Sequence, residues 1–182
     1  MKKKYYTVSE LSSNIQSAYD TMFKSSDTIC VLLGANFIDR CLANALVIYL
    51  PIKDKEFIKK ELLDFNNGVL STLSARNKIA LTLNIIDRQF YEDILLIGKI
   101  RNRFAHNHLE ITFDDNEVKM FCNKLKLWEK RYTSYQIKSY KALPQREDQV
   151  ICKTKFIDSS TEIINNFISL GLIHKIINNT DI

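Results

Sequence analysis

The stretch ICVLLGANFIDRCLANALVIYL, residues 29–50, decides the fold class of this chain. Its apolar side chains recur with the 3.6-residue period of an α-helix, at Val31, Ala35, Ile38, Leu42, Ala45 and Tyr49. Asp27 is a suitable N-cap before this stretch, and Pro51 ends it because proline cannot continue a helix. The stretch therefore predicts one long, apolar helix.

The other predicted elements are helical as well. The first runs from the Thr7–Glu10 capping box to about Phe23, and a short helix over 55–65 is followed by an Asn66-Asn67-Gly68 turn. The next two run from Ser71 or Ser74 to Leu83 and from an Asp87 cap through His106. The last two run from Asp114 or Asp115 to about Lys126 and from Ser159 or Ser160 to about Ile177. Residues 128–150 are less regular. Because every regular element is helical, the sequence predicts an all-α bundle with an additional C-terminal helix.

Length and composition indicate one globular domain. The chain has 182 residues, of which 46% are hydrophobic and 26% charged, as in folded rather than disordered proteins. Four glycines and two prolines are too few for turn-rich β architectures. We expect a single domain over 1–182, with an N-terminal helix in 1–25, a core over 27–126 and a C-terminal extension over 128–182.

The charge and hydropathy of the chain limit its surroundings. A formal net charge of +5 permits RNA, DNA or another anionic partner but does not require one. No apolar run approaches the ~20 residues of a membrane span, so we expect no membrane contact. The basic start MKKKYYTVSE lacks the apolar segment of a signal peptide. The predicted location is the cytoplasm.

The four cysteines indicate reduced, structural thiols. Cys30, Cys41, Cys122 and Cys152 include no pair with the C-x-x-C spacing of zinc sites. Cys30 and Cys41 lie on the same predicted helix, roughly 16 Å apart at 1.5 Å per residue, which is too far for a disulfide. We therefore expect a cytosolic protein with neither a metal nor a cofactor.

The segment with the clearest chemical character is RNRFAH, residues 101–106, at the end of a predicted helix. On a helical wheel, Arg101 falls inside the apolar arc and Arg103 on the solvent face. A buried charge is costly unless it is paired or meets an anion, so Arg101 is expected to face a partner. Asn102 and His106 lie at the edge of the same arc.

These residue types suit RNA cleavage without a metal. His106 can take a proton from a ribose 2′-hydroxyl or protonate the leaving oxygen, because its pKa lies near neutrality. Arg101 can donate paired hydrogen bonds to phosphate oxygens as charge develops. Asn102 can orient the phosphate or the imidazole.

Structural roles explain the same residues. Arg and His in the last turn complement the helix dipole and bind free carbonyls. Arg101 could instead pair with a buried carboxylate, for which Asp39 is a candidate. His108 is expected in the loop after the helix and is a weak candidate for a second acid, and His174 in the last helix is expected to be structural.

The motif also carries a resemblance. RNRFAH fits the RNxxxH form of the R-x(4–6)-H motif of HEPN domains (higher eukaryotes and prokaryotes nucleotide-binding), and the chain more specifically resembles the mannitol operon repressor family. Three stretches match in order and spacing: VLLGANFIDRCLANALVIYL at 31–50, LSTLSARNKIALTLNII at 70–86 and FYEDILLIGKIRNRFAHNHLEITFDD at 90–115. The resemblance covers about 28–126 and is weaker over 153–164.

The resemblance implies two different functions. HEPN domains are helical bundles that usually dimerise, and many are metal-independent ribonucleases of toxin–antitoxin or defence systems; their catalytic roles would fall on Arg101, Asn102 and His106. The mannitol operon repressor family is named for transcriptional regulation, although this chain has no helix-turn-helix signature. Family members often have Asp where Arg103 stands. Arg76 matches the family pattern and either points toward the motif helix as a second cation or bonds helix ends.

Residues 128–141 interleave aromatic and basic side chains. This pattern suits single-stranded nucleic acid, through stacking and phosphate contacts. It suits equally well an amphipathic surface segment whose lysines extend over apolar groups. Both interpretations stay open at the level of sequence.

Two hypotheses follow. The first is a HEPN-like homodimer that acts as a metal-independent endoribonuclease, a toxin or defence effector with an RNA substrate and an antitoxin or regulatory protein as partner. Its catalytic residues are Arg101, Asn102 and His106, and Arg76, Arg103 and His108 are candidate substrate or anion contacts. The second is a non-catalytic transcriptional regulator related to the mannitol operon repressor, which acts through protein–protein contacts.

Overall fold

The computed structural model describes residues 19–106, 111–132 and 148–178, and within these ranges it contains helices and no strand. After a helical turn over 19–24, the elements are α1 (Asp27–Tyr49), α2 (Lys55–Phe57), which continues as a π-helical turn (Ile58–Leu62), α3 (Leu73–Thr82), α4 (Arg88–His106), α5 (Asn116–Cys122), a 3-10 turn (Leu127–Arg131) and α6 (Asp148–Asn178). The predicted all-α architecture with a C-terminal helix is confirmed.

Helix α1 forms the centre of the bundle and packs against α3, α4 and α6. Its N-cap is Ser26, whose hydroxyl accepts a hydrogen bond from the Ile29 amide. The prediction of Asp27 as the cap is wrong by one residue, because tertiary contacts occupy that carboxylate. It accepts a hydrogen bond from the Phe113 amide at 3.0 Å and pairs with Lys153 at 3.2 Å.

Helix α1 is also long and apolar enough to cross a membrane by length and composition alone, which holds for no other helix in the described ranges. Its most apolar 18-residue window has a mean hydropathy of 1.5. The expectation that the chain has no such segment is wrong on this measure. Half of the window is buried inside the protein, and core helices of soluble proteins meet the same criterion, so this is weak evidence for a membrane.

Helix α6 differs most from its prediction. It begins at Asp148 instead of Ser159 or Ser160, and both serines are buried in the middle of the helix. Serine is a frequent N-cap because its hydroxyl accepts a backbone hydrogen bond. Here the Ser159 hydroxyl accepts that bond from the Trp128 amide of the 3-10 turn, 31 residues away in sequence. Tertiary contact therefore replaces the local capping that the sequence predicted.

Two shorter helices are close to their predictions. Helix α3 is capped by Thr72, whose side chain accepts from the Ala75 amide, and neither Ser71 nor Ser74 has this role. Helix α5 is capped by Asp115, one of the two predicted residues. It ends at Cys122, short of Lys126, because the Lys126 amide donates to the buried Asp93 carboxylate.

The buried apolar side chains of α1 and α3–α6, together with those of the connecting segments, form one core. Helices α1 and α6 approach closely at Gly34 of α1, where an added Cβ would lie 2.9 Å from the Phe156 ring of α6. The division into segments 1–25, 27–126 and 128–182 stays a prediction, because residues 1–18 and 133–147 lie outside the described residues.

Candidate functional site

Arg76 is the most deeply buried cation of the described structure, with 2% of its surface exposed. Its guanidinium pairs with Asp39 of α1 at 2.6 Å and donates to the carbonyl oxygens of Leu70 at 2.7 Å and Leu63 at 3.1 Å. These carbonyls belong to the segment between the π-helical turn and α3. Of the two roles considered for Arg76, the contacts favour the structural one, in which it bonds the ends of helical segments.

Arg101 does not point into the core. Its side chain is exposed, and its Nη1 donates to the Asn102 Oδ1 at 3.1 Å. The buried residues of α4 are Phe90, Asp93, Ile94, Ile97, Ile100 and Phe104. This arc is rotated toward Asp93 relative to the predicted one, because the Lys126 and Leu127 amides satisfy the Asp93 carboxylate inside the protein. The predicted partner of Arg101, Asp39, is taken by Arg76.

His106 is the last residue of α4 and is also exposed. It follows Arg101 by five residues, which places the two side chains about 140° apart around the helix axis at 100° per residue. The described part of the chain shows no hydrogen bond between them. His108 lies outside the described residues, as does the side chain of His174. The sequence thus predicted a convergence of cation and imidazole that this structure does not display.

Arg103 makes two ion pairs at the protein surface. Its guanidinium lies 3.0 Å from Asp115 and 3.2 Å from Glu117. The hydrogen bond from Arg103 holds the pKa of Asp115 below its usual value, and the pKa of Arg103 is raised by the same bond. The prediction of a solvent-face charge is confirmed, and two carboxylates already surround this guanidinium.

Arg101 and Asn102 lie at an open groove of about 760 Å³ between α1, α3 and α4. The lining is mixed, with apolar groups that include Leu32, Phe65 and Leu73 and polar groups that include Asn36, Asp39 and Asn77. His106 is not among the lining residues. Sequence reasoning found the arginine of this groove and missed the walls from α1 and α3, because these lie between Leu32 and Asn77, well before Arg101 in the chain.

The groove contains one buried acceptor without a donor. Asn77 of α3 is 1% exposed and donates through Nδ2 to the Tyr91 carbonyl at 2.9 Å. Its Oδ1 accepts no hydrogen bond within the described structure. An unsatisfied buried carbonyl oxygen costs about 1–3 kcal/mol.

The first part of the aromatic and basic segment packs against the protein. Trp128 is buried and donates to the Leu125 carbonyl, and the Tyr132 hydroxyl donates to Asp158 at 2.6 Å. Lys130 lies 4.5 Å above the Phe90 ring, and Arg131 pairs with Asp158 at 3.4 Å. Over 128–132 these contacts fit the amphipathic interpretation; residues 133–141 lie outside the described ranges.

Within the described ranges, the cysteines and the acidic residues form no metal site. All four cysteines are buried and no disulfide joins them. Burial raises the pKa of Cys30 and of Cys41 to about 12, which keeps both thiols protonated at neutral pH. Over the residues that the structure describes, no cluster of three or more His, Cys, Asp or Glu side chains could hold a metal ion.

Two solved structures share the fold. One is the X-ray structure of the MtlR–HPr complex from Escherichia coli, with a TM-score of 0.62 and 22% identity, covering 85% of this chain and 98% of that one. The other is the crystal structure of a possible transcriptional regulator, YggD, from Shigella flexneri 2a, with a TM-score of 0.64 and 13% identity over 91% and 99% of the two chains. At these identities the likeness shows the fold alone.

Curated relatives agree in sequence over a shorter stretch. The mannitol operon repressors of Escherichia coli K12 and of Escherichia coli O6:H1 are each 37% identical to this chain over 78 residues. The match covers 41% of this chain and 40% of either repressor. It therefore spans about two fifths of the length of these relatives.

The sequence model of the mannitol repressor family matches residues 43–180, which is more than half of the chain. These findings contradict the endoribonuclease hypothesis, since they point to transcriptional regulation and none of them supports a HEPN, ribonuclease or toxin–antitoxin assignment. The regulator that was considered as the alternative fits them better. The resemblance found in the sequence is confirmed, and the chain belongs to the mannitol repressor family.

Proposed function

We propose that this protein is a non-catalytic regulator of transcription that acts in the cytoplasm through contacts with another protein. The observation that carries the proposal is the match of the mannitol repressor family to residues 43–180. The geometry of the motif agrees with it, because Arg101 and His106 are exposed on different sides of α4 and form no acid–base pair in the described structure.

The proposed partner is a protein of the HPr kind. The Escherichia coli protein MtlR, which shares this fold, was solved in complex with HPr. We carry that pairing over to this chain as a proposal. RNA is not part of it. Self-association into a homodimer, expected from the resemblance, is a separate proposal that light scattering tests, with an expected mass twice the 21.2 kDa of the chain.

The first experiment measures partner binding. The full chain is titrated with purified HPr of the same organism by isothermal calorimetry, and saturable binding is expected. In parallel, a reporter driven by the mannitol operon promoter is compared in cells with and without the gene for this chain, where deletion is expected to raise expression. Failure of both measurements would overturn the proposal.

A second experiment addresses catalysis directly. The purified chain is incubated with RNA in EDTA, alongside the His106→Ala variant. Both preparations are expected to leave the RNA intact. Cleavage by the wild type that is lost in His106→Ala would contradict the assignment of a non-catalytic role.

A further inference from the structure

We infer that the groove between α1, α3 and α4 is the docking site for an acidic segment of a partner protein, in which Arg101 binds a carboxylate and the apolar wall holds an adjacent apolar side chain. The inference rests on the proposed function, since it locates the protein contact through which the regulator acts. It adds the surface on this chain and the chemistry of the segment that fits it.

The first argument is the state of the Arg101 guanidinium. In the described ranges, Arg76, Arg88, Arg103 and Arg131 each lie within 3.4 Å of a carboxylate oxygen. Arg101 instead donates a hydrogen bond to a neutral group, the Asn102 amide oxygen. An exposed arginine beside a groove offers a planar pair of donors that matches a carboxylate, and charge-assisted pairs of this kind are among the stronger hydrogen bonds.

The second argument is the net charge of the lining. Asp39 is the acidic residue of the groove wall, and its charge is balanced by the buried Arg76 at 2.6 Å. Lys99 and Arg101 line the same groove, and Lys99 lies 5.7 Å above the Phe121 ring. The groove therefore presents a net positive field to solvent, and a negatively charged segment complements it.

The third argument is the exposed apolar wall. Leu32 of α1 is 39% exposed and Phe65, before α3, is 68% exposed, although both line the groove. Aromatic side chains that are accessible next to an arginine are typical of the residues that dominate protein interfaces. An inorganic anion or a phosphate group would leave this apolar surface in water.

A peptide segment that carries a carboxylate beside an apolar side chain meets both features of the lining, the Arg101 guanidinium and the exposed apolar wall.

The charge of two stretches outside the described residues argues against their occupation of the groove. Stretch 1–18 has Lys2, Lys3 and Lys4 against Glu10, and 133–147 has Lys138, Lys141 and Arg146 against Glu147. These stretches, and a second copy with the same net charge of +5, would meet like charge at Lys99 and Arg101, whereas an acidic foreign segment would not. The short stretches 107–110 and 179–182 carry Glu110 and Asp181 instead, and the cross-linking test distinguishes them from a partner.

Gly98 of α4 provides a way to block the groove from its floor. A Cβ added there would make ordinary contact with the Leu73 side chain at 3.5 Å, so Gly98→Ala fits without strain. Gly98→Trp would extend a large side chain into the groove. Comparison of the two variants distinguishes the effect of filling the groove from the effect of replacing the glycine.

The binding test uses the calorimetric titration with purified HPr. Arg101→Glu and Gly98→Trp are each expected to weaken binding about tenfold or more, and the loss from Arg101→Glu should shrink as salt is raised. The matched control is Arg88→Glu, on the same helix but outside the groove, which is expected to bind within about twofold of wild type. Gly98→Ala, which adds only a Cβ to the lining, is expected to weaken binding less than Gly98→Trp. Circular dichroism confirms that each variant is folded.

A cross-linking test identifies the occupant. A photoreactive phenylalanine analogue replaces Phe65, or Val150 of α6 as a control that is 67% exposed elsewhere. With HPr present, the Phe65 position is expected to cross-link to an HPr peptide that contains Asp or Glu, and the Val150 position is not. A cross-link to this chain itself, to a second copy, or to an added RNA oligonucleotide in preference to HPr would overturn the inference.

The outcomes separate the two proposals. If HPr binds the wild type and all four variants equally, the groove is not the docking site while the proposed function survives. If HPr does not bind the wild type, both the HPr partner and the docking site are overturned, and the reporter experiment alone decides whether the chain is a regulator.

Discussion

Arg76 and Arg101 are two arginines near the same groove with opposite environments. Arg76 is buried against a carboxylate and two carbonyl oxygens, whereas Arg101 is exposed and contacts an amide. The sequence pattern predicted that Arg101 points inward, and it left two roles open for Arg76. The difference shows that a guanidinium is buried where the fold supplies acceptors for its N–H groups, and that its angle on a helical wheel does not decide this.

The strongest test of this comparison is the removal of each guanidinium. Arg76→Ala leaves Asp39 and two carbonyl oxygens without their donor, so we expect a loss of about 3 kcal/mol in the free energy of unfolding. Arg101→Ala should change it by less than about 0.5 kcal/mol, as is usual for exposed positions. Urea denaturation followed by circular dichroism measures both. Equal losses for the two variants would contradict the conclusion that the buried contacts of Arg76 make it more important for stability than Arg101.

A second contrast concerns two glycines on neighbouring helices. In Gly34→Ala the new Cβ would meet the buried Phe156 ring at 2.9 Å and the Met22 sulfur at 3.2 Å. Overpacking of this kind costs about 1–3 kcal/mol, which the better helix propensity of alanine offsets only in part. We expect a lower urea midpoint than wild type. An unchanged midpoint would mean that α1 and α6 can separate without cost.

Gly98→Ala should have the opposite sign. Its Cβ meets only the Leu73 methyl, at 3.5 Å, so the substitution gains helix propensity in the interior of α4 without a clash. We expect a stabilisation of at most about 1 kcal/mol. Thermal unfolding in parallel with Gly34→Ala measures it, and a destabilised Gly98→Ala would contradict the open groove seen beside α4.

The smallest expected effects are on the pH dependence of stability. Two carboxylates contribute to it with opposite signs. Burial raises the pKa of Asp93 above its usual 3.8, despite hydrogen bonds from the Leu127 and Lys126 amides and from Gln89 and Ser159. The folded protein therefore binds this proton more tightly than the unfolded chain does. Protonation of Asp93 therefore increases the free energy of unfolding as the pH falls from neutral toward 3.8, and this contribution is lost as the pH rises again.

Asp115 behaves in the opposite way, because Arg103 lowers its pKa. The stability that it contributes is present above pH 3.8 and is lost as the pH falls through the lowered pKa. Relative to wild type, Asp93→Asn should therefore become less stable on acidification, and the deficit of Asp115→Asn should shrink. Urea midpoints between pH 7 and pH 3.5 measure both trends, and parallel curves for the two variants would contradict the assignment.

Local sequence signals predicted most helix positions. The period of α1, the Asp115 cap and the turn before α3 are short-range features, and each is close to its predicted place. The start of α6 was not predictable in this way. Its buried Ser159 resembles a cap in sequence, but its hydroxyl binds the distant Trp128 amide.

The residues of the groove were also only partly predictable from local sequence. Arg101 and Asn102 could be selected from the sequence because they form a motif on one helix. The sequence could not identify the other groove residues Phe65, Asp39 and Asn77. Each reaches the groove only because the fold brings separate segments of the chain together. The ribonuclease interpretation was overturned separately, by the match to the mannitol repressor family.

The sequence by itself determined the helical class, the family resemblance and the residues of the motif, because periodicity, capping and short motifs are properties of neighbours along the chain. Only the tertiary structure decided which arginine is buried, which serine caps a helix and which walls enclose the groove. The physical reason is that the cost of burying a polar group depends on the acceptors and donors that distant segments bring to it.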